Sequence, residues 1–489
     1  MSGLRQRIWT LDIEALDAVD NPVTLRFASG DYTRRDPGPV DHYYEPRLKQ
    51  PALFQVAAST GPLLNSNNRS GYGEAELINT DGGLDHLADY AVDGRLLTLR
   101  LVDDDTAVDV LVATVASLAF GERSVTVRLR DPQSLLQLPL GLSRYAGDNV
   151  LPDGVEGTQD DIAGTTKPRI YGSVENCTPV LVNTSKLIYQ VHDSADVTVT
   201  AVRDRGVPLT PAGEALDLAD LLASSPAAGE WRWFEGYIAL GATPAGTLTC
   251  DATRASAGAG QVFSELAAPH VVPAGDVSAL DAVGAVGLYV RGDSTPAELL
   301  DRLAAGVGAY WAFNAAGEIR VVLLQAPDVA PDLTVEDHQI LKLTRRATGS
   351  GANGLPIAAV TIAADRIETV QTDVAAGAVT PGRWTAQTRD VRVANSAVAT
   401  RHPLAAELQI NSPLRSLAAA SAVATTLAGL LGVRRDQVAV DVALATQTSL
   451  VIGQSIELNT PRLGYPRTFR LLGYTLDARR RLATLDLWG

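Results

Sequence analysis

Cysteine is nearly absent from this chain. The 489 residues contain only Cys177 and Cys250, which are 73 positions apart. That spacing is typical neither of a redox pair nor of a zinc site. A bridge between them cannot be read from the sequence, and two small, buried, reduced thiols are the favoured interpretation.

Aromatic residues are also scarce, at 5% of the chain, yet four of them fall within seven positions. Trp231, Trp233 and Tyr237 occupy alternating positions, which predicts a shared face, with Phe234 and Ile238 on the other. Exposed, the three would anchor a subunit interface or form a sugar platform; buried, they would belong to a core. Core and interface are equally favoured, and sugar binding ranks third.

Lysine occurs four times, so almost every basic side chain is an arginine. A GC-rich coding source explains this bias most simply; the alternative is a use of arginine for bidentate contacts across subunit interfaces. The net charge of −15 argues against a nucleic-acid-binding surface, which would cluster Lys and Arg. We expect no specific nucleic-acid binding.

Long apolar segments are missing as well. The nearest approach, residues 417–433, is short, rich in Ala, Ser and Thr, and followed at once by arginines. It predicts a buried helix and no membrane span. No apolar stretch follows the basic start of the chain, so we expect no secretory signal.

Familiar catalytic and metal-binding motifs are not present. The sequence has no G-x-S-x-G elbow, no phosphate-binding loop and no G-x-G-x-x-G after a strand. His42 and Glu45 lack a helix signal and a third ligand, and no two histidines have the i, i+4 spacing of a helical zinc site. His192 beside Asp193 favours a surface or hydrogen-bonded histidine over a catalytic dyad. We predict no enzyme, no catalytic or metal-ligating residue, and no cofactor.

Two runs of adjacent carboxylates require separate consideration. A glycosidase needs two carboxylates placed across a sugar. Asp103, Asp104 and Asp105, like Asp160 and Asp161, stand instead at strand ends or turns, where Asp commonly bonds to its own backbone. Solvated turn acids are therefore favoured. A calcium loop would need a Gly and a distant Glu in a twelve-residue frame, which is absent.

Alternating apolar residues predict a mainly β fold. In residues 124–130, Val125, Val127 and Leu129 share one face, as in a sheet with one buried side. Further strands are predicted at 95–102, 108–120, 197–202 and 231–240. Asp131 and Pro132 are expected to open a short helix.

Helix signals lie in the second half of the chain. Thr295 and Glu298 form a capping box with Pro296 at the first helical position, and residues 310–324 then form a hairpin. Ser412 and Pro413 are expected to begin a second helix, whose apolar stripe runs from 417 to 431. Residues 348–354 are interpreted as a mobile loop or linker.

The prediction is thus a multi-domain protein of β-barrels or sandwiches with a few short helices. Four regions are drawn: two β-rich ones at 1–165 and 166–290, a helix–hairpin α+β region at 291–385, and a C-terminal α+β region at 386–489.

Several short phrases carry a resemblance to a known family. They are KPRIYG at 167–172, TPVLV at 178–182, LIYQVHD at 187–193, RDRG at 203–206 and LGATPAGTLTCD at 240–251. In their order they resemble the tail-tip, or baseplate hub-like, proteins of tailed bacteriophages with siphophage and gene-transfer-agent type tails. The C-terminal GYTLD at 473–477, followed by a final strand, is similar to tail hub proteins.

The resemblance implies a virion structural protein at the tail tip, assembled in the host cytoplasm. Its expected partners are other tail proteins, from the tail tube and the distal tip. Hubs of this family commonly form closed rings, often homotrimers, so a ring is expected, through which DNA passes during ejection. The C-terminal region is expected to be hub-like.

An acidic bore would repel DNA during its passage, whereas a basic one would retain it. Asp103, Asp104 and Asp105 are candidates for such an acidic lumen. Two alternative functions are carried forward: a tail-associated cell-wall hydrolase, and a receptor-binding tail adhesin.

Overall fold

Strands dominate the computed structural model of the chain. It describes residues 7–35, 41–57, 69–103, 106–130, 133–268, 277–443, 450–462, 464–477, 480 and 482–489. The predicted fold class, mainly β with a few short helices, is confirmed. Each sheet has an open strand order within these described ranges.

The first region is built on one antiparallel sheet of seven strands, in the order β2-β1-β9-β10-β11-β8-β5. A short 3-10 turn, Asp85–Asp89, packs beside it. The strands of this region are β1 (Arg7–Leu16), β2 (Pro22–Ala28), β3 (Tyr32–Arg34), β4 (His42–Tyr44), β5 (Leu48–Gln50), β6 (Leu53–Ala57), β7 (Arg69–Tyr72), β8 (Glu74–Ile78), β9 (Leu96–Asp103), β10 (Thr106–Phe120) and β11 (Ser124–Arg130), and helix α1 (Gln133–Leu136) follows.

Two five-stranded sheets form the central unit, in the orders β16-β15-β20-β12-β21 and β13-β14-β19-β18-β17. The elements are β12 (Arg169–Cys177), β13 (Val180–Asn183), β14 (Ile188–Gln190), β15 (Thr198–Asp204), β16 (Val207–Pro208), β17 (Thr210–Glu214), α2 (Leu218–Ala223), β18 (Glu230–Phe234), β19 (Tyr237–Leu240), β20 (Leu248–Thr253), α3 (Ala259–Ala267), α4 (Ser278–Asp281) and β21 (Gly287–Val290). A hydrophobic cluster lies between the sheets because each turns its apolar positions toward the other.

The remaining elements alternate helices with short sheets. They are α5 (Pro296–Gly306), β22 (Ala309–Phe313), β23 (Ile319–Leu323), β24 (Leu333–Glu336), β25 (Ile340–Ala347), β26 (Ala359–Ala364), α6 (Pro381–Trp384), β27 (Arg389–Ala394), α7 (Ser396–Arg401), β28 (Glu407–Asn411), α8 (Leu417–Leu431), β29 (Gln437–Ala443), β30 (Ser455–Asn459), β31 (Arg467–Asp477) and β32 (Leu482–Trp488). A second 3-10 turn is Asp337–Gln339.

One large sheet joins distant parts of the sequence. Its order is β24-β30-β31-β32-β29-β25, and β6 of the first region also pairs with β31. The eleven residues of β31 accommodate both partners on one edge, β30 along their first part and β6 along their last. The regions drawn at 291–385 and 386–489 therefore share a sheet, and the first region contributes a hairpin to it.

The helix capped by Thr295 forms as predicted. The Thr295 hydroxyl accepts a hydrogen bond from the Glu298 amide at 3.3 Å, and the Glu298 carboxylate accepts from the Thr295 amide at 3.3 Å. Leu300 and Leu303 are fully buried on its inner face. The predicted hairpin follows as β22 and β23, and the Asn314 side chain accepts two backbone amides in its turn.

The start predicted for the C-terminal helix is wrong. Helix α8 begins at Leu417, and Ser416 caps it by accepting from the Ala419 amide at 3.3 Å. Ser412 instead donates to the Gly306 carbonyl oxygen at 2.6 Å, which ties the preceding strand to the end of α5. Ser412 followed by Pro413 matches the sequence pattern of a helix start, but the Ser412 hydroxyl bonds to a residue distant in sequence instead of capping the helix.

Residues 348–354 form a loop, as predicted, but the loop is partly buried and hydrogen-bonded, which a mobile linker would not be. The Trp488 indole donates to the buried Ser350 hydroxyl at 2.9 Å, and Gln437 donates to the Gly349 carbonyl oxygen at 3.1 Å. Glycine is needed at 349 because a Cβ there would lie 2.1 Å from the backbone carbon of Leu355, where the loop folds back on itself.

Candidate functional site

The phrases KPRIYG and LIYQVHD meet in the central unit. Arg169 donates to both carboxylate oxygens of Asp193, at 2.5 to 3.1 Å, and the Asp193 side chain is almost completely buried. The amide of Ile170 donates to Nδ1 of His192 at 3.0 Å. A bidentate, charge-assisted pair fixes both geometry and orientation, so these phrases hold the start of β12 against the end of β14.

The phrases RDRG and LGATPAGTLTCD meet in the same way. Asp204 accepts the amides of Ala245 and Gly246 at 2.6 and 3.0 Å, which closes the turn before β20. Arg203 donates to the Asp251 carboxylate at 2.7 Å from the neighbouring strand. Four of the five phrases thus supply two sets of hydrogen bonds, called here the polar framework of the central unit, and the roles of these residues are structural.

Gly172, the last residue of KPRIYG, has a conformation that other residues rarely adopt. Its φ is +73°, and a Cβ placed on it would lie 2.0 Å from the Val286 carbonyl oxygen. No side chain fits there because β12 passes directly against β21 at this point.

A serine, a histidine and two aspartates gather at the end of β14 and superficially resemble a catalytic triad. Ser194 Oγ and Asp196 Oδ1 both lie at Nε2 of His192, at 2.8 and 3.2 Å. In a triad, the acid and the nucleophile occupy opposite ring nitrogens. Here Nδ1 already accepts the Ile170 amide, so Nε2 must carry the proton and cannot accept one from Ser194.

Burial lowers the pKa of His192, which keeps the ring neutral at this position. His192 is therefore a buried, hydrogen-bonded residue; of the two sequence alternatives, the hydrogen-bonded one is confirmed and the surface one is wrong.

Of the three residues predicted to line an acidic lumen, the structure describes only Asp103. Asp103 ends β9, is 8% exposed, and accepts from Arg7 Nε at 3.1 Å. Its carboxylate thus faces a cation within the fold. Asp104 and Asp105 lie outside the described residues, so the acidic-lumen hypothesis stays a prediction.

Other carboxylates have local partners. Asp161 accepts the amides of Thr158 and Ile162 at 2.6 and 2.5 Å, as expected of a turn acid. Glu45, the proposed companion of His42, accepts from Arg47 at 2.8 Å. Within the described ranges, no group of three or more His, Cys, Asp or Glu side chains is placed to hold a metal ion.

The aromatic cluster does not share one face as predicted. The turn at Glu235 and Gly236 reverses the chain, so β18 and β19 pair and Trp233 lies opposite Ile238. Trp231, 2% exposed, and the half-buried Trp233 stack at 5.0 Å on the face toward the central cluster. Tyr237 packs on the other face in a smaller cluster. Whether these residues also meet a neighbouring subunit stays a prediction.

An ion-pair network joins the central unit to the C-terminal half. Glu175 on β12 accepts from Arg383 at 2.6 Å and from Arg415 at 2.7 Å. The buried Asp365 contacts the same two arginines, at 3.3 and 3.2 Å, and also Arg389. This network could not be predicted from the sequence, because Glu175 is more than 200 positions from Arg383 and Arg415.

A cavity of about 580 Å³ opens beside the end of α8. Its walls include Arg401, His402 and Arg434, together with the apolar Val398 and Val433, and no carboxylate lines it among the described residues. Sequence reasoning missed these residues, although Arg401-His402 and Arg434-Arg435 are adjacent basic pairs in an acidic chain.

Arg434 is the most exposed of the three arginines around Asp436. Its Nη2 lies 3.6 Å from the fully buried Asp436, which also pairs with Arg345 at 2.9 Å and Arg467 at 3.1 Å. Of these charged groups only Arg434 lines the cavity, where Arg401 joins it. The cavity is thus a cationic, partly apolar recess on a protein of net charge −15.

Comparison with known proteins finds similarity in structure. The chain is similar to a tail protein from Neisseria meningitidis MC58, with 11% identity, a TM-score of 0.41, and 94% and 97% of the two chains covered. It is also similar to a 43 kDa tail protein of prophage MuSo2 from Shewanella oneidensis, with 11% identity and a TM-score of 0.42; 99% of this chain and 98% of that protein are covered. For prophage tail protein gp18 from Listeria monocytogenes EGD-e, the identity is 6% and the TM-score is 0.37; 99% of this chain and 94% of that protein are covered.

All three are tail proteins. No protein-family model matches the sequence, and no curated protein matches it. In the part of the chain that the structure describes, no helix is long and apolar enough to cross a membrane.

Proposed function

We propose that this protein is a structural component of a phage tail tip or baseplate. In this role it forms a hub-like ring that joins the tail tube to distal tip proteins and encloses part of the DNA path. The observation that supports the proposal is the polar framework of the central unit. The phrases that resemble tail-tip proteins are the residues that hold this unit together, through Arg169–Asp193 and through Asp204 at the turn before β20.

A structural role also accords with where charge is used. Glu175 and Asp365 form ion pairs with arginines that lie far away in the sequence. His192 is neutral and accepts a hydrogen bond from the backbone. Such groups fix a scaffold; none of them offers a free base or nucleophile.

The net charge of −15 supports the conduit part of the proposal, since an acidic wall does not retain DNA. In a ring structure of the protein, the bore is expected to be lined mainly by Asp and Glu. A bore lined mainly by Arg would contradict this part and leave the tail-tip assignment standing.

The cationic cavity supplies a candidate contact with a partner. We infer that it receives an acidic segment of a neighbouring tail protein, because Arg401, His402 and Arg434 meet carboxylates favourably while Val398 and Val433 cover apolar side chains. The interaction joins a basic recess to an acidic surface, so its association rate is expected to fall as salt concentration rises.

Replacing Arg401 and Arg434 by Ala is expected to reduce incorporation of the protein into tailed particles by tenfold or more. Arg480→Ala is the matched control. Arg480 is 67% exposed and lies 3.6 Å from Asp477, whereas Arg434 is 62% exposed and lies 3.6 Å from Asp436. The measurement is the amount of each variant that cosediments with particles from cells lacking the wild-type chain.

Equal incorporation of the double variant and the control would contradict the cavity contact. Absence of the wild-type chain from the particle fraction would contradict the tail assignment itself. In that case, clearing of cell-wall material in a zymogram would favour the hydrolase, and binding of the isolated chain to host cells would favour the adhesin.

A further inference from the structure

The two cysteines of the chain lie opposite each other on adjacent strands of one sheet of the central unit. In the antiparallel pairing of β12 with β20, Cys177 lies directly opposite Cys250. Their Sγ atoms are 3.4 Å apart, and both residues are completely buried. Opposed residues in such a ladder have Cα atoms about 4.5–5.5 Å apart, which lies inside the range that a disulfide spans.

We propose that Cys177 and Cys250 are a covalent modification site, an intramolecular disulfide that forms when the protein meets a peroxide oxidant. The register of the two strands already supplies the alignment. Only side-chain rotation is needed to bring the sulfurs to a bond length of about 2 Å.

The position of the pair gives the bond a structural consequence. Everything from β13 to β19 lies between the two cysteines, including one complete five-stranded sheet and strands β15 and β16 of the other. A disulfide between β12 and β20 would link the two strands that flank the segment from β13 to β19. For a closed loop of this length, loop-closure entropy predicts that the unfolding equilibrium constant of the unit falls by about 1,000-fold.

The chemistry balances with hydrogen peroxide as the oxidant. One thiol is oxidised to a sulfenic acid, and one water is released. The sulfur of the second thiol then attacks the sulfenyl sulfur and displaces hydroxide, which leaves with the thiol proton as a second water. Two thiols and one peroxide thus give one disulfide and two waters.

The environment of the pair makes the reaction slow in the folded protein. The hydrogen bond with Cys250 and burial both raise the pKa of the Cys177 thiol, so little of the reactive thiolate is present at neutral pH. The pair is therefore expected to stay reduced in a reducing cytoplasm and to close upon prolonged exposure to oxidant.

The test uses the full chain in two arms. In the first, the folded protein is treated with hydrogen peroxide, quenched with catalase, denatured, and alkylated with N-ethylmaleimide. In the second, the protein is refolded from urea in a glutathione redox buffer, where access to the thiols is not limiting. Intact mass and peptide mapping then score the bond.

The expected product is a monomer that is 2 Da lighter, takes up no N-ethylmaleimide, and yields a peptide joining Cys177 to Cys250. Backbone amides of β12 and β20 should exchange at least tenfold more slowly in this product than in the reduced protein. The Cys177→Ser/Cys250→Ser double variant is the control, and its exchange should not respond to oxidant.

Three outcomes would overturn the proposal. Both cysteines could take up N-ethylmaleimide after both arms, the oxidised material could be disulfide-linked dimers or separately oxidised thiols, or the bond could form and speed amide exchange in β12 and β20. None of these results bears on the tail assignment, which is tested on particles.

Discussion

At the scale of single residues, Asp301 is a partly buried carboxylate whose ionisation is expected to lower the stability of the fold. It lies on α5, accepts a hydrogen bond from the Trp311 indole at 2.9 Å, and burial raises its pKa to about 6. A folded-state pKa above the unfolded value means that the folded protein binds the extra proton between about pH 4 and pH 6. Stability from this group is present at low pH and is lost as pH rises through that window.

Asp301→Asn is therefore expected to stabilise the protein at pH 7, by up to about 3 kcal/mol, because Asn keeps an acceptor for Trp311 without the charge. Near pH 4 the variant and the wild type should be equally stable. Urea unfolding at both pH values checks this, and an equal difference at the two would contradict the assignment to ionisation.

Asp365 is the residue on which the ion-pair network depends. Three arginines contact it, and its own side chain is 5% exposed. Asp365→Ala removes one of the two carboxylates that the largely buried Arg383 and Arg415 share, the other being Glu175. It is expected to cost up to about 3 kcal/mol.

The matched comparison is Glu407→Ala. Glu407 pairs with Arg392 at the surface, with both side chains about half exposed, so its removal should change unfolding little. Equal effects of the two substitutions on the urea midpoint would show that the network does not hold the segments together.

Residue-scale features were predictable from sequence where the partner is local. Thr295 and Glu298 are three positions apart, so their reciprocal cap was visible in the sequence. Ser412 has its partner at Gly306, more than 100 positions away, and the same rule misassigned it. The prediction that Trp231, Trp233 and Tyr237 share a face was wrong for a different reason. A tight turn between Phe234 and Tyr237 interrupts the alternation and places Tyr237 on the other face.

At the scale of elements, the pairing of β6 with β31 joins the first region to the last. Phe54 on β6 is almost completely buried between Tyr72, at 5.1 Å, and Tyr474 of β31, at 5.8 Å. Nothing in the sequence of either strand specifies the other as its partner. Pairings between strands some 400 positions apart are set by the whole fold.

Phe54→Ala is expected to cost about 3–5 kcal/mol through the cavity that it leaves. Amides of β6 and of the last part of β31 should lose protection from hydrogen exchange together. Tyr43→Ala, at a 57% exposed position, is the control and should change neither strand. Loss of protection in β6 alone would contradict the joint role of the two strands.

At the scale of the whole molecule, composition and alternation predicted the β-rich class, which the structure confirms. The phrases KPRIYG, LIYQVHD and RDRG supply side chains of the polar framework, among them Arg169, Asp193 and Asp204. The boundary drawn at 385/386 did not anticipate a sheet shared by both sides, since connections between sheets leave no mark in local composition.

The measurement that tests the central claim most directly is electron microscopy of tailed particles labelled with a gold-conjugated antibody to this chain. A tail-tip component predicts gold at the distal end of the tail, in particles with an intact tube. Gold on the capsid or along the tube, or particles without label while the chain remains free, would contradict the account.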